Sequence, residues 1–542
     1  MPHQSVVSRG LTTITRAITV AAGVFAPGHL GELTAIVPFE LVDSVLEETG
    51  SVERRRRDLP SRVGVYFLLA MCLFPEIGYR LVWDKLTCGL AGLAVARPSA
   101  KALRDLRRRV GIRTVKAVFE VLAGPLAQPR SPGVSFGRYR TVSFDGCTSQ
   151  KAPDTARNRA WLGKRASDSW PMLELMTLVE TGTRALLGAV FGPTTPGEVA
   201  YATRLVHLLS PDMLVLWDKG FDSNAFLTAV DATGARFLGR MTNSRRPPVL
   251  ARLSDGSYLS CVGGLPVRII EASITVACQD GTVFCGTYRL VTTLTDHRRY
   301  PAGALIVLYH QRWEHESAYF ALRHTLLNGR VLRSGDPVGL QQELWALLAV
   351  YQILRTAMVA AAESVPGTDP DRAGFTIAYQ AGRDQLVKAE AVVTRDDTNL
   401  VGEIGRKILA GLLPARRLRV STRKVKSPHS RYHIHKPDGR PLVSQQVTAL
   451  DIAVHEPPPA IEYTEVETLA RSDAEPSAPG QRRTRRERVL ELMQSDPTRS
   501  WHAREIGQWL GVTDGNIICV QLSQWVHYGQ FRRTGPAIYT LA

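Results

Sequence analysis

Between residues 138 and 240 the chain writes a strand meander and then switches to alternating helix and strand. "RYRTVSFDG" alternates apolar and polar residues at the strand period, and "WPMLELMTLVE" and "TRALLGAVFGP" read as two further strands joined by the turn "TGT". "TPGEVAYATRLVHLL" has helical spacing, and "DMLVLWDKGF" is a short apolar run of the buried-strand type. "SNAFLTAVDATG" is helical again and "ARFLGRMT" extended. Strands joined by tight turns pair antiparallel, whereas strands separated by helices pair parallel through crossovers. A chain containing both is confined to a mixed sheet of the α/β class. Two of its strands are read as ending in an acid, Asp145 and Asp218.

The flanking regions differ in texture. Residues 1–28 read as an N-terminal tail. Its "RGLTTITRAITVAAGVFAPG" imitates a weak signal peptide, but threonines break the apolar run. Residues 29–125 read as a helical domain. There "PSAKALRDLRRRVGIRTVKAVFEVL" has the form helix, glycine turn, helix, which suits a DNA-binding helix-turn-helix and a basic hairpin equally well. The mixed-sheet domain is assigned to 135–365, with a β-rich insertion at about 245–300 ("PVRIIEASITVAC", "GTVFCGTYRLVTTLTD"). "LWALLAVYQILRTAMVAAAE" is apolar enough to resemble a membrane span, but Gln352 and Arg355 inside it favour a buried helix.

Residues 366–450 are read as a helical and basic region; 401–440 alone carry 11 Lys and Arg against two acids. Residues 451–480, with seven acids, one arginine and "EPPPA" and "EPSAPG", are expected to be a flexible linker. Residues 481–542 give helix, helix, helix, hairpin, the plan of a winged helix-turn-helix. Trp501, Trp509 and Trp525 are expected in its core. Asn516, Gln521 and Gln524 are expected to face DNA, with Arg532 and Arg533 on a wing.

Charge narrows the partner. With 67 Lys and Arg against 50 Asp and Glu the formal charge is +17, which favours a polyanion through counterion release. Seven scattered cysteines without a C-x-x-C pair argue against a disulfide framework or a zinc site, and a reducing cytoplasm fits. His429, His433 and His435 lack cysteine or acid partners at zinc spacing, so they read as part of a basic DNA-facing segment. Cys147 has no apparent base beside it and reads as a packed thiol. Asp154, Asp168 and Asp222 read as caps or loop acids.

The chemistry is concentrated in "YHQRWEHESAYFALR". At 100° per residue, with Tyr309 at 0°, Arg312, Glu316 and Arg323 fall at about 300°, 340° and 320°, and Glu314 at about 140°. One helix face then holds a tyrosine, two arginines and one carboxylate. Taken alone, this is as well explained by an exposed face with Arg312–Glu316 pairing. If Asp145 and Asp218 meet in the sheet, Glu316 can complete a three-acid cluster. Like charges so close require cations, and hard oxygen ligands select two Mg²⁺, with Mn²⁺ as substitute. Such a pair suits phosphodiester chemistry. Arg312 and Arg323 would then hold phosphates, and Tyr309 would hydrogen-bond a phosphate or stack on a base.

Tyr309, Arg312, Glu316 and Arg323 follow the spacing Y-x2-R-x3-E-x6-K, which resembles the signature of DDE transposases of the insertion-sequence-four family. "VSFDG" and "VLWDKGFDS" resemble that family's two aspartate strands, and "HLGELTAIVPFELVDSVLEETG" its N-terminal domain. The likeness covers roughly residues 25–440. It implies an RNase H-like catalytic core in which Asp145, Asp218 and Glu316 bind the two metal ions. It implies further an enzyme that binds transposon-end inverted repeats in double-stranded DNA, then cleaves them and transfers the strand. At least a dimer would be needed in the synaptic complex, with no membrane and a bacterial, nucleoid-associated cytoplasmic setting.

This sequence departs from the pattern at Arg323, where the signature has lysine. Family members can use an insertion tryptophan to stack on a flipped base, and residues 219–312 contain none. Tyr258, Phe284, Tyr288 and Tyr300 are the aromatics that remain. Two alternatives stay open on sequence: a domesticated DNA-binding regulator and an RNase H-like structure-selective nuclease.

Overall fold

A computed structural model describes residues 29–53, 55, 57–90, 95–163, 170–310, 312, 314–387, 402–415, 419–420, 424–425, 433–434, 445–457, 485–497, 499–510, 522, 526, 531–535 and 537–541. The chain divides into two compact units, Met1–Ile461 and Glu462–Ala542.

The first unit is built on one mixed sheet. A short β1 (Ser135–Phe136) turns into β2 (Tyr139–Lys151), which continues, after the short helix α5 (Ala156–Leu162), through β3 (Met172–Glu180) and β4 (Leu186–Gly192) as an antiparallel meander. Helix α6 (Glu198–Thr203) leads to β5 (Met213–Trp217), and α7 (Asn224–Asp231) to β6 (Arg236–Arg240). β5 pairs parallel with both β2 and β6. The five core strands thus lie in the order β6-β5-β2-β3-β4. That is the mixed sheet the turn and crossover pattern requires.

The β-rich segment does not stand apart from this sheet. β7 (Ala251–Arg252) and β8 (Tyr258–Val262) pack beside β9 (Leu265–Cys278), which forms a long ribbon with β10 (Val283–Thr292). The end of β10 pairs with β6, Leu290 opposite Arg240, so the ribbon extends the core sheet directly. Beyond β9 the sheet is joined by a strand from far along the chain. After β11 (Arg419–Val420), β12 (Lys424–Val425) and β13 (His433–Ile434) comes β14 (Gln445–Val454). β14 pairs antiparallel with β9 from Val447 opposite Cys278 to Val454 opposite Ala272. The expected linker from 451 is therefore corrected at its start: residues 451–454 are sheet, and 458–480 lie outside the described residues.

Helices cover the sheet unequally. On one face Val142, Phe144, Val215 and Trp217 pack with Phe226 and Leu227 of α7 and Tyr201 of α6. On the other lies a large helical layer. It comprises α1 (Phe39–Glu48), α2 (Ser61–Leu73), α3 (Tyr79–Thr87), α4 (Ala100–Leu122), α10 (Pro337–Glu363), α11 (Phe375–Val387) and α12 (Glu403–Ala410). α4 is interrupted at Gly111, whose φ of 72° is a left-handed conformation suited to glycine. Gln342 of α10 donates to the Arg107 and Gly111 carbonyls at 2.8 and 3.0 Å, satisfying groups the break releases. Both arms of this helix-glycine-helix segment carry buried residues of the shared core, from Leu103 to Phe119. α10 is long and apolar enough to cross a membrane, but 89% of its most apolar stretch is buried. Gln352, inside that stretch, accepts from the Leu186 amide at 2.8 Å.

The second unit contains α13 (Arg485–Gln494), β15 (Trp501–His502), α14 (Ala503–Leu510), β16 (Phe531–Gly535) and β17 (Ile538–Leu541). Its strands form an antiparallel sheet ordered β15-β17-β16. Val489, Met493, Trp501, Ile506, Leu522, Phe531 and Tyr539 form its core. Trp501 is buried as expected; Trp509 is not, lying exposed beneath the Arg488 guanidinium. Arg532 and Arg533 are exposed on β16. Of the expected third helix only Leu522 and Val526 are described; Asn516, Gln521, Gln524 and Trp525 lie outside the described residues, as do His429, His435 and Asp168.

Candidate active site

Strand register brings the first two acids together. The parallel ladder runs from Arg140 opposite Met213 to Ser143 opposite Leu216. Two residues further on each strand stand Asp145 and Asp218, and equal steps from one register keep side chains on one face. Asp145 does not end its strand, as the sequence suggested. β2 runs on to Lys151 because β3 continues to pair with it, with Asp145 opposite Thr177. Asp218 does end β5. There its Oδ1 accepts the Lys219 amide at 2.7 Å and opens a short 3-10 turn. Asp145 Oδ1 accepts the Gly146 amide at 2.9 Å.

The segment carrying the motif is not one continuous α-helix. α8 (Ala302–His310) stops, Arg312 sits in a 3-10 turn, and α9 (Glu314–Phe320) begins anew. A π-helical turn, Ala321–Leu326, follows. The uniform 100° advance behind the expected face therefore fails on both sides of Glu316. Tyr309 is buried, and its hydroxyl donates to the Trp217 carbonyl at 3.2 Å instead of facing outward. Burial pushes that phenol's pKa up.

Arg312 is buried too, and it binds the acids. Its Nη1 lies 4.0 Å from Asp145 Oδ2 and its Nη2 3.9 Å from Asp218 Oδ2. In this structure Tyr309 props the strand end and Arg312 spans the two aspartates. Arg323 is half-buried in the π turn. Glu316 is exposed on α9. The side chain of Glu314, expected on the opposite face, lies outside the described residues.

The charges interact. Burial pushes Asp145 up to about 7; the Arg312 charge opposes the rise, and Glu316 and then Glu198 add to it. Glu198 is an acid that sequence reasoning missed. It opens α6, and its carboxylate lies against the backbone beside both aspartates. A Cβ on Gly146 would come within 2.9 Å of Glu198 Oε1, and one on Gly220 within 3.6 Å of Oε2. The available signal was the acid in the first turn after "TPG", immediately following the meander.

Asp222 is excluded as a further acid of the site. It pairs with Arg245 at 2.7 Å and accepts from the Thr242 amide. Asp154 pairs with Arg159. Cys147 is buried, as a packed thiol should be. The four aromatics of the β-rich segment, Tyr258, Phe284, Tyr288 and Tyr300, are all buried, so none presents an open ring to a base.

Comparison with known proteins decides the family. The family described as insertion element 4 transposase N-terminal matches residues 27–120, and the transposase DDE domain matches 137–353. The chain belongs to the IS4 family of DDE transposases. Transposase InsG for insertion sequence element IS4, from Escherichia coli (strain K12), is 26% identical over 411 residues, covering 72% of this chain and 91% of that protein. Putative transposase InsZ of the same strain is 23% identical over 203 residues, covering 36% of this chain and 66% of that one. Among solved structures, the piggyBac transposase synaptic complex with hairpin DNA aligns with a TM-score of 0.34 at 9% identity, over 71% of this chain and 85% of that chain.

The mixed sheet and the matched DDE domain together fit an RNase H-like core for this IS4-family transposase. It is an enzyme of DNA cleavage and strand transfer. Among the described residues, no three His, Cys, Asp or Glu side chains are gathered closely enough to form a ready-made metal site. The donor chemistry nevertheless fits a hard divalent cation: the donors are carboxylate oxygens, and Glu316 and Glu198 add to the rise that burial gives Asp145.

Proposed function

We propose that this transposase binds the inverted repeats at the ends of its own element and cuts there, with Asp145, Asp218 and Glu316 as catalytic acids. The observation that carries the assignment is the shared register of Asp145 and Asp218, both reached by one guanidinium, with Glu316 acting electrostatically on Asp145. These three acids would hold two Mg²⁺, which when bound supply an activated water and stabilise charge on the phosphodiester oxygens. Arg312 spans the two aspartates and eases their mutual repulsion until a cation takes up their charge. Arg323, planar where the family signature has lysine, is assigned a phosphate contact.

The second unit is assigned as a winged helix-turn-helix that reads DNA. Its support is the order helix, strand, helix, hairpin and the exposed Arg532 and Arg533 on the hairpin. Synapsis of two ends calls for at least two copies of the chain.

The test uses duplex DNA carrying the inverted repeat that borders the gene. Asp145→Asn, Asp218→Asn and Glu316→Gln should each lose Mg²⁺-dependent cleavage by at least about a thousandfold while binding the duplex normally. Glu314→Gln should cleave at nearly the parent rate. Cleavage surviving Glu316→Gln but lost in Glu314→Gln would overturn the assignment.

A further inference from the structure

We propose that His315 and Tyr319 are positioning residues of the transposase reaction, forming a one-way chain of hydrogen bonds that fixes α9 against the strand bearing Asp145. The proposal rests on the reading above that Asp145 and Glu316 are catalytic.

Four buried side chains form the chain. Ser143 Oγ lies 2.7 Å from His315 Nδ1, and Thr177 Oγ1 lies 2.8 Å from His315 Nε2. Thr177 Oγ1 is also 2.9 Å from the Tyr319 hydroxyl, which in turn lies 2.5 Å from the Asp145 carbonyl. Ser143, Thr177, His315 and Tyr319 are each no more than 5% exposed. At such burial an unmade hydrogen bond is costly, so every proton has to be placed.

The placement has one solution. A carbonyl only accepts, so the Tyr319 proton goes to Asp145. The Tyr319 oxygen then accepts the single Thr177 proton. Thr177 must therefore accept from His315 Nε2–H, which leaves Nδ1 bare to accept from Ser143. The imidazole is neutral and in one tautomer.

The positions of these residues give the chain its purpose. Ser143 stands two residues before Asp145, Thr177 lies opposite Asp145 in the ladder, and His315 directly precedes Glu316. His315 and Tyr319 are also i and i+4 on α9, with ring centroids 5.2 Å apart. The helix is thus held at two points, one turn apart, to the strand that bears Asp145 and to its neighbour β3. α9 cannot slide or rotate without breaking a buried bond, and the Asp145–Glu316 separation is fixed with it. Misplacement of reacting groups by about 1 Å costs roughly a hundredfold in rate.

The test measures single-turnover cleavage of the same end duplex by the full-length chain, together with duplex affinity and thermal midpoint. Tyr319→Phe deletes one hydroxyl and should slow cleavage about 10- to 100-fold, with affinity within about twofold of the parent. His315→Gln places an N–H near the Nε2 position and should retain cleavage within about fivefold, whereas His315→Leu, apolar and of similar bulk, should fall with Tyr319→Phe.

Parent-rate cleavage by Tyr319→Phe, or equal rates for His315→Leu and His315→Gln, would overturn the proposal. If His315→Leu does not fold, Thr177→Val gives the same break in the chain and the same expected loss. The two readings fail separately. Activity in Glu316→Gln removes the catalytic assignment, while parent activity in Tyr319→Phe with a dead Glu316→Gln removes only the chain.

Discussion

The guanidinium of Arg312 stands 3.9 Å from the carboxylate of Asp218, and its other terminal nitrogen reaches Asp145 at 4.0 Å. One buried cation is shared by two acids that strand register places side by side. Arg312→Gln removes that cation and leaves the acids to repel each other. The variant should lose about 1–3 kcal/mol of stability in EDTA. Added Mg²⁺ should raise its thermal midpoint by more than it raises the parent's, because binding to the folded state stabilises by mass action and the uncompensated acids bind the ion more tightly. Equal Mg²⁺-induced shifts in the two proteins would sink this account of the charge balance.

The buried imidazole of His315 predicts a pH effect on folding. Burial, and secondarily the Arg312 charge, lowers its pKa to about 3 from 6.5. Between those values the unfolded chain binds a proton that the folded chain does not, so stability falls as pH drops below about 6.5. The slope approaches about 1.4 kcal/mol per pH unit. Asp145, raised to about 7, works in the opposite direction over part of the range. The contrast with His315→Gln therefore isolates the histidine. Urea midpoints at pH 7.5 and 5.5 should show the parent losing about 1 kcal/mol relative to that variant.

Arg184 and Asp371 form an ion pair that is almost wholly buried, with 3% and 1% side-chain exposure. It ties the turn between β3 and β4 to the 3-10 turn Pro370–Arg372, below α10. Removing one partner strands the other charge out of water. Asp371→Leu alone should cost about 3–5 kcal/mol, and adding Arg184→Met should recover most of the loss. Chemical denaturation of the two singles and the double checks this; a double variant as unstable as the sum of the singles would contradict it.

The sheet was legible because its signals are local. Alternation gave the meander and helix spacing gave the crossovers; that Asp145 and Asp218 share a face came from the strand register. The motif helix was less legible, because its expected face holds only for a uniform helix. The break before Glu314 and the π turn after Phe320 come from tertiary packing that no local period records. Tyr309 shows the consequence: a residue placed on an exposed arc proves to be core, under Trp217. Asp145 looked like a strand end, yet pairing with β3 carries β2 past it. β14 was invisible for the opposite reason. "QQVTALDIAV" has weak alternation and runs into an acidic, proline-marked stretch, and its partner β9 lies far away in sequence.

That distant pairing yields the last prediction. β14 covers β9 along seven register pairs, and its Val447, Leu450, Ile452 and Val454 join the core that holds Leu305, Ile306 and Tyr309 of α8. Val447, which is buried, and three partly buried apolar side chains, at about 1 kcal/mol each, make β14 worth on the order of 4 kcal/mol to this unit. A chain ending at residue 457 keeps β14 and should unfold at the parent urea midpoint for the first unit. A chain ending at residue 440 exposes the edge of β9 and should unfold at clearly lower urea and aggregate through that edge. Because α8 packs in the same core and Tyr309 props the Asp218 strand, the shorter chain should also lose cleavage. Equal midpoints for the two chains would show that β14 adds nothing to the fold beneath the site.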